Sequence, residues 1–190
     1  MADIPLIHPL EVGPDLRLVP VGAGHAPAIF ARVDHDRARL SARLPWVDGC
    51  RRVDDTLDFI AGSVIRRNVA EGGDGSGDWA IEGVEGGNRT IMGVIGLHTT
   101  RLHHRRTAIG YWIAEEFEGR GLITRSAGVV ADHCVREGLH RIEIHAATDN
   151  RRSRTVATRL GFAFEGVHRS AEWLHGRPCD HAIYARVEES

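Results

Sequence analysis

The sequence contains no lysine, and all 24 of its basic residues are arginines. A Walker phosphate loop needs a lysine after its last glycine, so that class of nucleotide-binding site is excluded. Schiff-base chemistry and a lysine general base are excluded for the same reason. The absence of one residue type therefore removes three classes of chemistry at once.

Cysteine is also scarce, and its spacing indicates free thiols. The three cysteines, Cys50, Cys134 and Cys179, are an odd number without a C-x-x-C pair, which argues against a disulfide framework and against a thiolate zinc site. Twelve histidines are present, but no H-E-x-x-H occurs, and the adjacent pair His103–His104 suits no single metal ion well. The sequence therefore predicts no metal.

Long apolar runs are missing as well. No segment approaches the roughly 18 apolar residues of a membrane span, and the N-terminus lacks a basic segment followed by an apolar core. We expect a cytoplasmic protein. Its net charge of -2 and pI near 6.6 provide no overall field for nucleic acid or anionic membrane, so neither is predicted as a partner.

The length of 190 residues predicts one domain, residues 1–190, with residues 1–14 as an extended N-terminal segment. Hydrophobic periodicity then predicts a strand, two helices, three strands, a helix, a strand, a helix and two strands. The fold class is mixed α+β: a central, mostly antiparallel twisted sheet with a parallel crossover, flanked by about four helices. The predicted strands are at 16–20, 79–84, 91–98, 108–114, 141–146, from 162 onward and at 181–187, the last after a turn at 175–178. The predicted helices are at 25–44, from 54, from 123 to 138 and from 150 to 161.

The centre of this pattern is the stretch from residue 108 to residue 125. Ile109, Tyr111 and Ile113 alternate with smaller or opposite-facing residues, as in a strand, and from Ile123 the apolar period becomes helical. Between them lies Glu-Gly-Arg-Gly, residues 118–121. Glycines allow a sharp turn and a close approach of the backbone, and the first N–H groups of the helix point into the same space. Such a loop is suited to a phosphate or pyrophosphate.

Two other interpretations of this loop remain open at this point. The loop is equally compatible with a plain strand-to-helix turn, in which the glycines only allow the backbone conformation and bind no ligand. A dinucleotide-binding fingerprint would need a third glycine where Thr124 stands, although Glu143 follows about 20 residues later, as that motif requires.

A later block, residues 150–184, is more specific. It contains an Asn-x-x-Ser helix start, a Leu-Gly-Phe strand entry, a Glu-Gly turn and an Ala-Glu-Trp-Leu-x-Gly segment before an Asp-His pair. With the element order and the loop, this block resembles the RimJ/RimL-type branch of the GNAT acyltransferase superfamily over nearly the whole chain. The loop itself departs from the superfamily pattern at Glu118 and Ile123, and the departures are expected to weaken cofactor binding without abolishing it.

The resemblance implies an N-acyltransferase that moves an acetyl group directly from acetyl-CoA to a primary amine, without a metal. The acceptor is either a protein N-terminus, such as that of a ribosomal protein, or a small amine such as an aminoglycoside, an amino acid or a peptide antibiotic. The alternative is a catalytically idle CoA-binding regulator. A homodimer is left open.

The resemblance also implies roles for individual residues. The end of the central strand would bind pantetheine and the acyl carbonyl through its backbone, residues 119–124 would hold the pyrophosphate, and Asn150 would contact the pantetheine arm. The implied cofactor-binding residues are Trp112, Ile113, Ala114, Gly119, Arg120, Gly121, Leu122, Ile123, Thr124, Asn150 and Ser153.

Two catalytic residues follow from the same resemblance. Glu172 matches the glutamate of the Ala-Glu-Trp segment and would be the general base, while Ser153 would donate a proton to the departing thiolate. Trp46, Glu172 and Trp173 are the implied acceptor-site residues. Tyr111 and Tyr184, the two tyrosines of the chain, are predicted as core or wall rather than as acids. A helix cap is a structural alternative for Asn150 and Ser153, and both roles can coexist.

Overall fold

The computed structural model describes residues 6–188, which form one eight-stranded sheet. The strand order is β1-β2-β3-β4-β5-β6-β8-β7, and within these residues β5 and β6 are the one parallel pair. This topology confirms the predicted mostly antiparallel sheet with a parallel crossover at its centre. The strands are β1 (Leu10–Gly13), β2 (Leu16–Pro20), β3 (Gly77–Glu85), β4 (Asn88–Arg101), β5 (Arg106–Ile113), β6 (Arg141–Ala147), β7 (Ala163–Leu174) and β8 (Arg177–Val187).

Five α-helices accompany the sheet in the same residues: α1 (Ala26–His35), α2 (Arg37–Ser41), α3 (Val53–Arg67), α4 (Leu122–Arg136) and α5 (Arg151–Arg159). Helix α4 makes the crossover from β5 to β6. It ends as predicted, because Gly138 has a φ of +87° and lets the Leu139 N–H turn back to the Cys134 carbonyl at 2.9 Å. None of the helices in the described residues has the length and apolar character needed to cross a bilayer.

The two faces of the sheet bury separate cores. On β3, Trp79 and Ile81 belong to the core that includes the apolar face of α4, whereas Ala80 between them belongs to the core that includes α1. This alternation follows from the period of two along a strand. The sheet is therefore buried on both faces, and its central strands are held rigidly from both sides.

The predicted helix at residues 25–44 is wrong in its continuity. A short 3-10 turn precedes α1, and the helix is interrupted at Asp36, between α1 and α2. The physical reason is the buried Asp36 side chain, which accepts hydrogen bonds from the Arg39 guanidinium at 2.8 Å and from the Glu115 N–H at 2.6 Å. These bonds fix a turn where propensity alone favours a continuous helix, so four expected helices become five.

One further prediction gains detail and another needs correction. The extended segment predicted at residues 1–14 contains the edge strand β1, Leu10–Gly13, with Leu10 opposite Leu18. Residues 1–5 of that segment lie outside the described residues. The last strand begins earlier than predicted, because β8 starts at Arg177 rather than at residue 181. Its first residues carry no hydrophobic alternation, so the sequence pattern does not reveal them.

Candidate active site

A cavity of about 830 Å³ lies between α2, the end of β5, and the starts of α4 and α5. It is large enough for a cofactor-sized ligand. Most of its wall comes from the two segments that the sequence singles out, the strand–loop–helix stretch and the start of the later block, and the rest comes from α2 and the residues after it. The lining residues are Arg39, Leu40, Ala42, Arg43, Leu44, Tyr111, Trp112, Ile113, Phe117, Glu118, Gly119, Gly121, Leu122, Ile123, Thr124, Asp149, Asn150, Arg151, Arg152, Ser153, Thr155, Val156 and Arg159.

The two parallel strands part at this cavity. The β5–β6 register covers Arg106 to Ala108 on one strand and Arg141 to Glu143 on the other, and it stops there. From Ile109 onward, β5 continues to pair with β4 on its other side. The edge of β5 that faces away from β4 is therefore free along residues 109–113, and its backbone polar groups need another partner. The strand that ends in Tyr111, Trp112 and Ile113 therefore diverges from β6 at the cavity.

The glycine loop has the geometry of an anion site. Gly119 and Gly121 have φ values of +75° and +74°, and a Cβ at either position would meet no atom within 4 Å. Gly121 is the N-cap of α4 and has no side chain to cap it, while Leu122, Ile123 and Thr124 line the cavity. The first N–H groups of α4 are thus directed at the cavity, where the helix dipole also favours negative charge.

Glu118 does not present a free carboxylate to this site. One of its oxygens accepts a hydrogen bond from Arg39 of α2 at 2.8 Å, and the other pairs with Arg152 of α5. Arg39 also donates to the Ile113 carbonyl at 2.7 Å and to Asp36. A network of charges therefore joins α2, the loop and α5 across the cavity mouth.

Asp36, a buried residue between α1 and α2, holds Arg39 in that network. Asp36 is only 5% exposed. Burial by itself raises the pKa of Asp36, but the hydrogen bonds from Arg39 and from the Glu115 N–H outweigh it and hold this pKa below its ordinary value. Asp36 therefore stays ionised and keeps the Arg39 guanidinium at the cavity wall.

Asn150 and Ser153 stand together at the start of α5. The Asn150 side chain is the N-cap and accepts the Ser153 N–H at 3.2 Å, which confirms the structural role that the sequence also allowed. The Ser153 hydroxyl lies 3.0 Å from the Tyr111 hydroxyl, and both residues line the cavity. Burial raises the pKa of Tyr111 to about 12, against a smaller opposing effect of the Ser153 hydrogen bond. The phenol is therefore neutral at ordinary pH and can donate its proton in a hydrogen bond.

The residues implied for the acceptor lie around the cavity rather than in its lining. Trp46 packs near Trp112, with ring centroids 6.3 Å apart, and is 45% exposed. Trp173, near the tip of the β7–β8 hairpin, is 68% exposed. Glu172 is half-buried beside it, and its carboxylate lies 3.5 Å from the His181 imidazole rather than among apolar side chains.

Two of the implied cofactor-binding residues are outside the lining. Ala114 is buried, and its N–H donates to the Met92 carbonyl at 2.8 Å. The Arg120 guanidinium lies over the Phe117 ring and donates to Glu85, so it is directed away from the cavity. The other nine, Trp112, Ile113, Gly119, Gly121, Leu122, Ile123, Thr124, Asn150 and Ser153, all line it.

Sequence reasoning missed two features of the site. The Tyr111 hydroxyl is one, because strand alternation predicts which side the ring faces but not which hydroxyl it meets. The arginines of the cavity are the other. Arg151 and Arg152, adjacent to Asn150 in the sequence, gave a local signal. Arg39 on α2 and Arg43 just after that helix are distant in the sequence and gave none.

Comparison with known proteins agrees with this geometry. Residues 15–163 match the model of the acetyltransferase (GNAT) domain family. The ribosomal-protein-serine acetyltransferase of Escherichia coli (strain K12) is 26% identical over 182 residues, 95% of this chain and 97% of that protein. The Bacillus subtilis (strain 168) protein YdaF is 37% identical over 112 residues, which span 57% of this chain and 61% of YdaF.

A solved structure shows the same fold with a ligand of the expected kind. The ribosomal-protein α-N-acetyltransferase RimL, in complex with coenzyme A, superposes with a TM-score of 0.87 at 26% identity, over 95% of this chain and 98% of that one.

The chain belongs to the GNAT acetyltransferase family, and the resemblance to its RimJ/RimL-type branch is confirmed. It is an N-acetyltransferase that uses acetyl-CoA as acetyl donor.

Proposed function

We propose that this enzyme transfers the acetyl group directly to the α-amino group of a protein N-terminus, with a ribosomal protein as the first candidate acceptor. The observation that carries the proposal is the continuous cavity from the glycine loop to the parted ends of β5 and β6. A thioester laid along it has its phosphates at the start of α4 and its acyl group beside the free edge of β5.

The named residues divide the chemistry between them. Glu172 removes a proton from the acceptor ammonium, and the neutral amine attacks the thioester carbonyl. The tetrahedral intermediate collapses and expels the thiolate, which takes a proton from the Ser153 hydroxyl. The proton that the new amide nitrogen loses returns to the Ser153 oxygen, so the hydroxyl is restored. Tyr111, 3.0 Å away, holds that hydroxyl in place. The products are the amide, the CoA thiol and one proton released to solvent. No covalent enzyme intermediate is required.

Two features support a peptide over a small amine as acceptor. The indole rings of Trp46 and Trp173 are exposed rather than enclosed, so the acceptor side has open apolar surface that a chain of several residues can cover. The second feature is a relative that aligns with nearly the whole chain, the ribosomal-protein-serine acetyltransferase of Escherichia coli, whose name gives a protein as its acceptor. Because ribosomes are in the cytoplasm, a ribosomal acceptor implies a cytoplasmic enzyme.

The oligomeric state is a separate prediction. A homodimer is the expected alternative to a monomer, and light scattering tests it.

The test is a comparison of acceptors at equal concentration, with acetyl-CoA as donor and mass spectrometry of the products. The panel contains a peptide with a free N-terminal serine, the same peptide with a blocked N-terminus and an internal lysine, and an aminoglycoside. We expect acetylation of the free N-terminus alone. Acetylation of the aminoglycoside alone would contradict the proposed acceptor, and CoA binding without turnover on any amine would favour an idle regulator.

A further inference from the structure

The β7–β8 hairpin is interrupted close to Glu172. β7 pairs with β8 up to His168 opposite His181, with one irregularity between Phe164 and Gly166, and the pairing resumes at Glu172 opposite Cys179 after a β-bulge. Within the bulge, Ser170 has a φ of +52°, an uncommon conformation for a residue with a side chain. The Ser170 N–H donates to the Asp180 carboxylate at 2.8 Å. That hydrogen bond holds the bulge in place.

The bulge determines what Glu172 faces. Bulges redirect side chains and are frequent beside active sites. Here the shift brings the Glu172 carboxylate to 3.5 Å from Nε2 of His181, and the two side chains are 31% and 19% exposed. Asp180 and His181 are the Asp-His pair noted in the sequence, which the proposed function leaves without a role.

The same hairpin is fastened to both walls of the cavity. The Asp180 carbonyl accepts the Thr148 N–H at 2.9 Å, in the loop that leads to Asn150. The His175 imidazole lies 2.8 Å from the Ser41 carbonyl at the end of α2. Glu172 and His181 are therefore held rigidly at the edge of the cavity, on the side of the exposed tryptophans.

Other titratable groups surround the pair. His168 stands opposite His181 on β7, and on β6 the His145 imidazole lies 2.6 Å from Glu143. Cys179 lies opposite Glu172, and the ion pair of Asp149 and Arg43 is nearby. Burial, together with the Glu172 carboxylate, raises the pKa of the Cys179 thiol. Of these groups in the described residues, His181 is the one within 4 Å of the Glu172 carboxylate.

We propose that His181 is a positioning residue for the acetyl transfer: it orients the Glu172 carboxylate and takes over the proton that Glu172 removes from the acceptor. The inference rests on the proposed function. Glu172 gains the ammonium proton and passes it to Nε2 of His181, and the imidazole releases a proton to solvent. Glu172 is thereby ionised again for the next turnover. The 3.5 Å separation of the two side chains is a contact rather than a hydrogen bond in this structure, and catalytic contacts of this kind shorten when the reactants bind.

The experiment compares His181→Gln with the matched control His168→Gln, a substitution directly opposite on the same hairpin. The acceptor is whichever amine the unaltered enzyme acetylates, so a wrong acceptor class leaves this test intact. We expect kcat to fall about tenfold for His181→Gln, with CoA affinity unchanged. This is less than the roughly 10²- to 10⁴-fold of a direct general acid or base, because His181 acts through Glu172. Added imidazole should restore part of the rate, and the acid limb of the pH–rate profile should change, because imidazoles lose their proton-accepting form at low pH. His168→Gln should match the parent.

A double variant separates positioning from unrelated damage. Because His181 acts through Glu172, the variant with both Glu172→Gln and His181→Gln should be no slower than Glu172→Gln alone. CoA affinity and the melting temperature report whether each variant is folded, and His181→Asn serves if the glutamine variant is not. An unchanged kcat and pH profile for His181→Gln would overturn the inference, as would a double variant whose loss equals the product of the two single losses.

Discussion

The Arg39 guanidinium donates a 2.8 Å hydrogen bond to the carboxylate of Glu118, across the mouth of the cavity. Glu118 is one of the two residues at which the loop departs from its family pattern, and in isolation a carboxylate beside a pyrophosphate would repel it. Because Arg39 and Arg152 both pair with it, the repulsion is largely offset. The departure therefore costs the site less than the sequence alone suggests.

Replacing Glu118 with Gln should tighten CoA binding by about two- to fivefold, the range expected from an exposed ion pair. The reason is that two guanidinium groups are released toward the phosphates. The salt dependence of binding should become steeper, since exposed charges are screened. Glu116→Gln is the control, because Glu116 pairs with Arg32 and does not line the cavity. Isothermal titration calorimetry at two salt concentrations measures the CoA affinity of each variant. Equal CoA affinities for Glu118→Gln and Glu116→Gln would show that Glu118 has no part in the site.

Gly121→Ala should weaken CoA binding at least tenfold. Its φ of +74° strains any residue with a side chain, and the added methyl group enters the cavity beside the first N–H groups of α4. Gly138→Ala is a matched control at the other end of the same helix, with a φ of +87° and no atom within 4 Å of its Cβ. Both variants should lose about 1–2 kcal/mol of stability, but only Gly121→Ala should lose affinity. If both bind CoA equally, the loop is merely a turn.

The Tyr111–Ser153 hydrogen bond predicts an ordered pair of effects. Ser153→Ala should lower kcat by about tenfold, a modest general-acid effect, since a thiolate is already a good leaving group. Tyr111→Phe should lower it less, because the Ser153 hydroxyl remains but loses the 3.0 Å contact that holds it. The double variant should equal Ser153→Ala alone. Stopped-flow thiol release measures all three, and a larger loss for Tyr111→Phe would assign the proton donor to the tyrosine.

Local patterns were enough for much of the fold. The end of α4 at Gly138 and the cap at Asn150 each depend on a few adjacent residues, and each is found where predicted. The break at Asp36 could not be predicted, because its cause is a hydrogen bond from the N–H of Glu115, far along the chain. The first residues of β8 carry no apolar alternation, so the start of that strand could not be predicted either.

The candidate site also has parts that the sequence predicts and parts that it does not. Its backbone components are predictable, because they follow from glycine spacing and strand order. Its side-chain partnerships, such as Glu118 with Arg39 and Glu172 with His181, join segments that are close only in the folded chain or are set by a bulge. A family resemblance supplied Glu172 and Ser153, but no motif supplied the hydroxyl of Tyr111.

His133 should make stability depend on pH. Burial lowers the pKa of His133 from its ordinary value of 6.5, and its ring is 1% exposed. The unfolded chain therefore binds a proton that the folded chain does not, so stability is full above pH 6.5 and is lost as the pH falls below it. His133→Gln should remove this component, which is at most about 1.4 kcal/mol per pH unit. Urea unfolding at several pH values, with exposed His103→Gln as control, should show a parent–variant difference that shrinks on acidification; a constant difference would contradict the assignment.

The most direct test of the whole account is the pH–rate profile of acetyl transfer for the parent and Glu172→Gln, measured as amine-dependent release of the CoA thiol. If Glu172 deprotonates the acceptor, the substitution lowers kcat by about 10²- to 10⁴-fold at neutral pH with little change in CoA affinity. The deficit should shrink as the pH rises, because more of the amine is then already neutral. Full activity of Glu172→Gln at every pH would contradict the account and assign the base elsewhere, such as a water held by the free edge of β5.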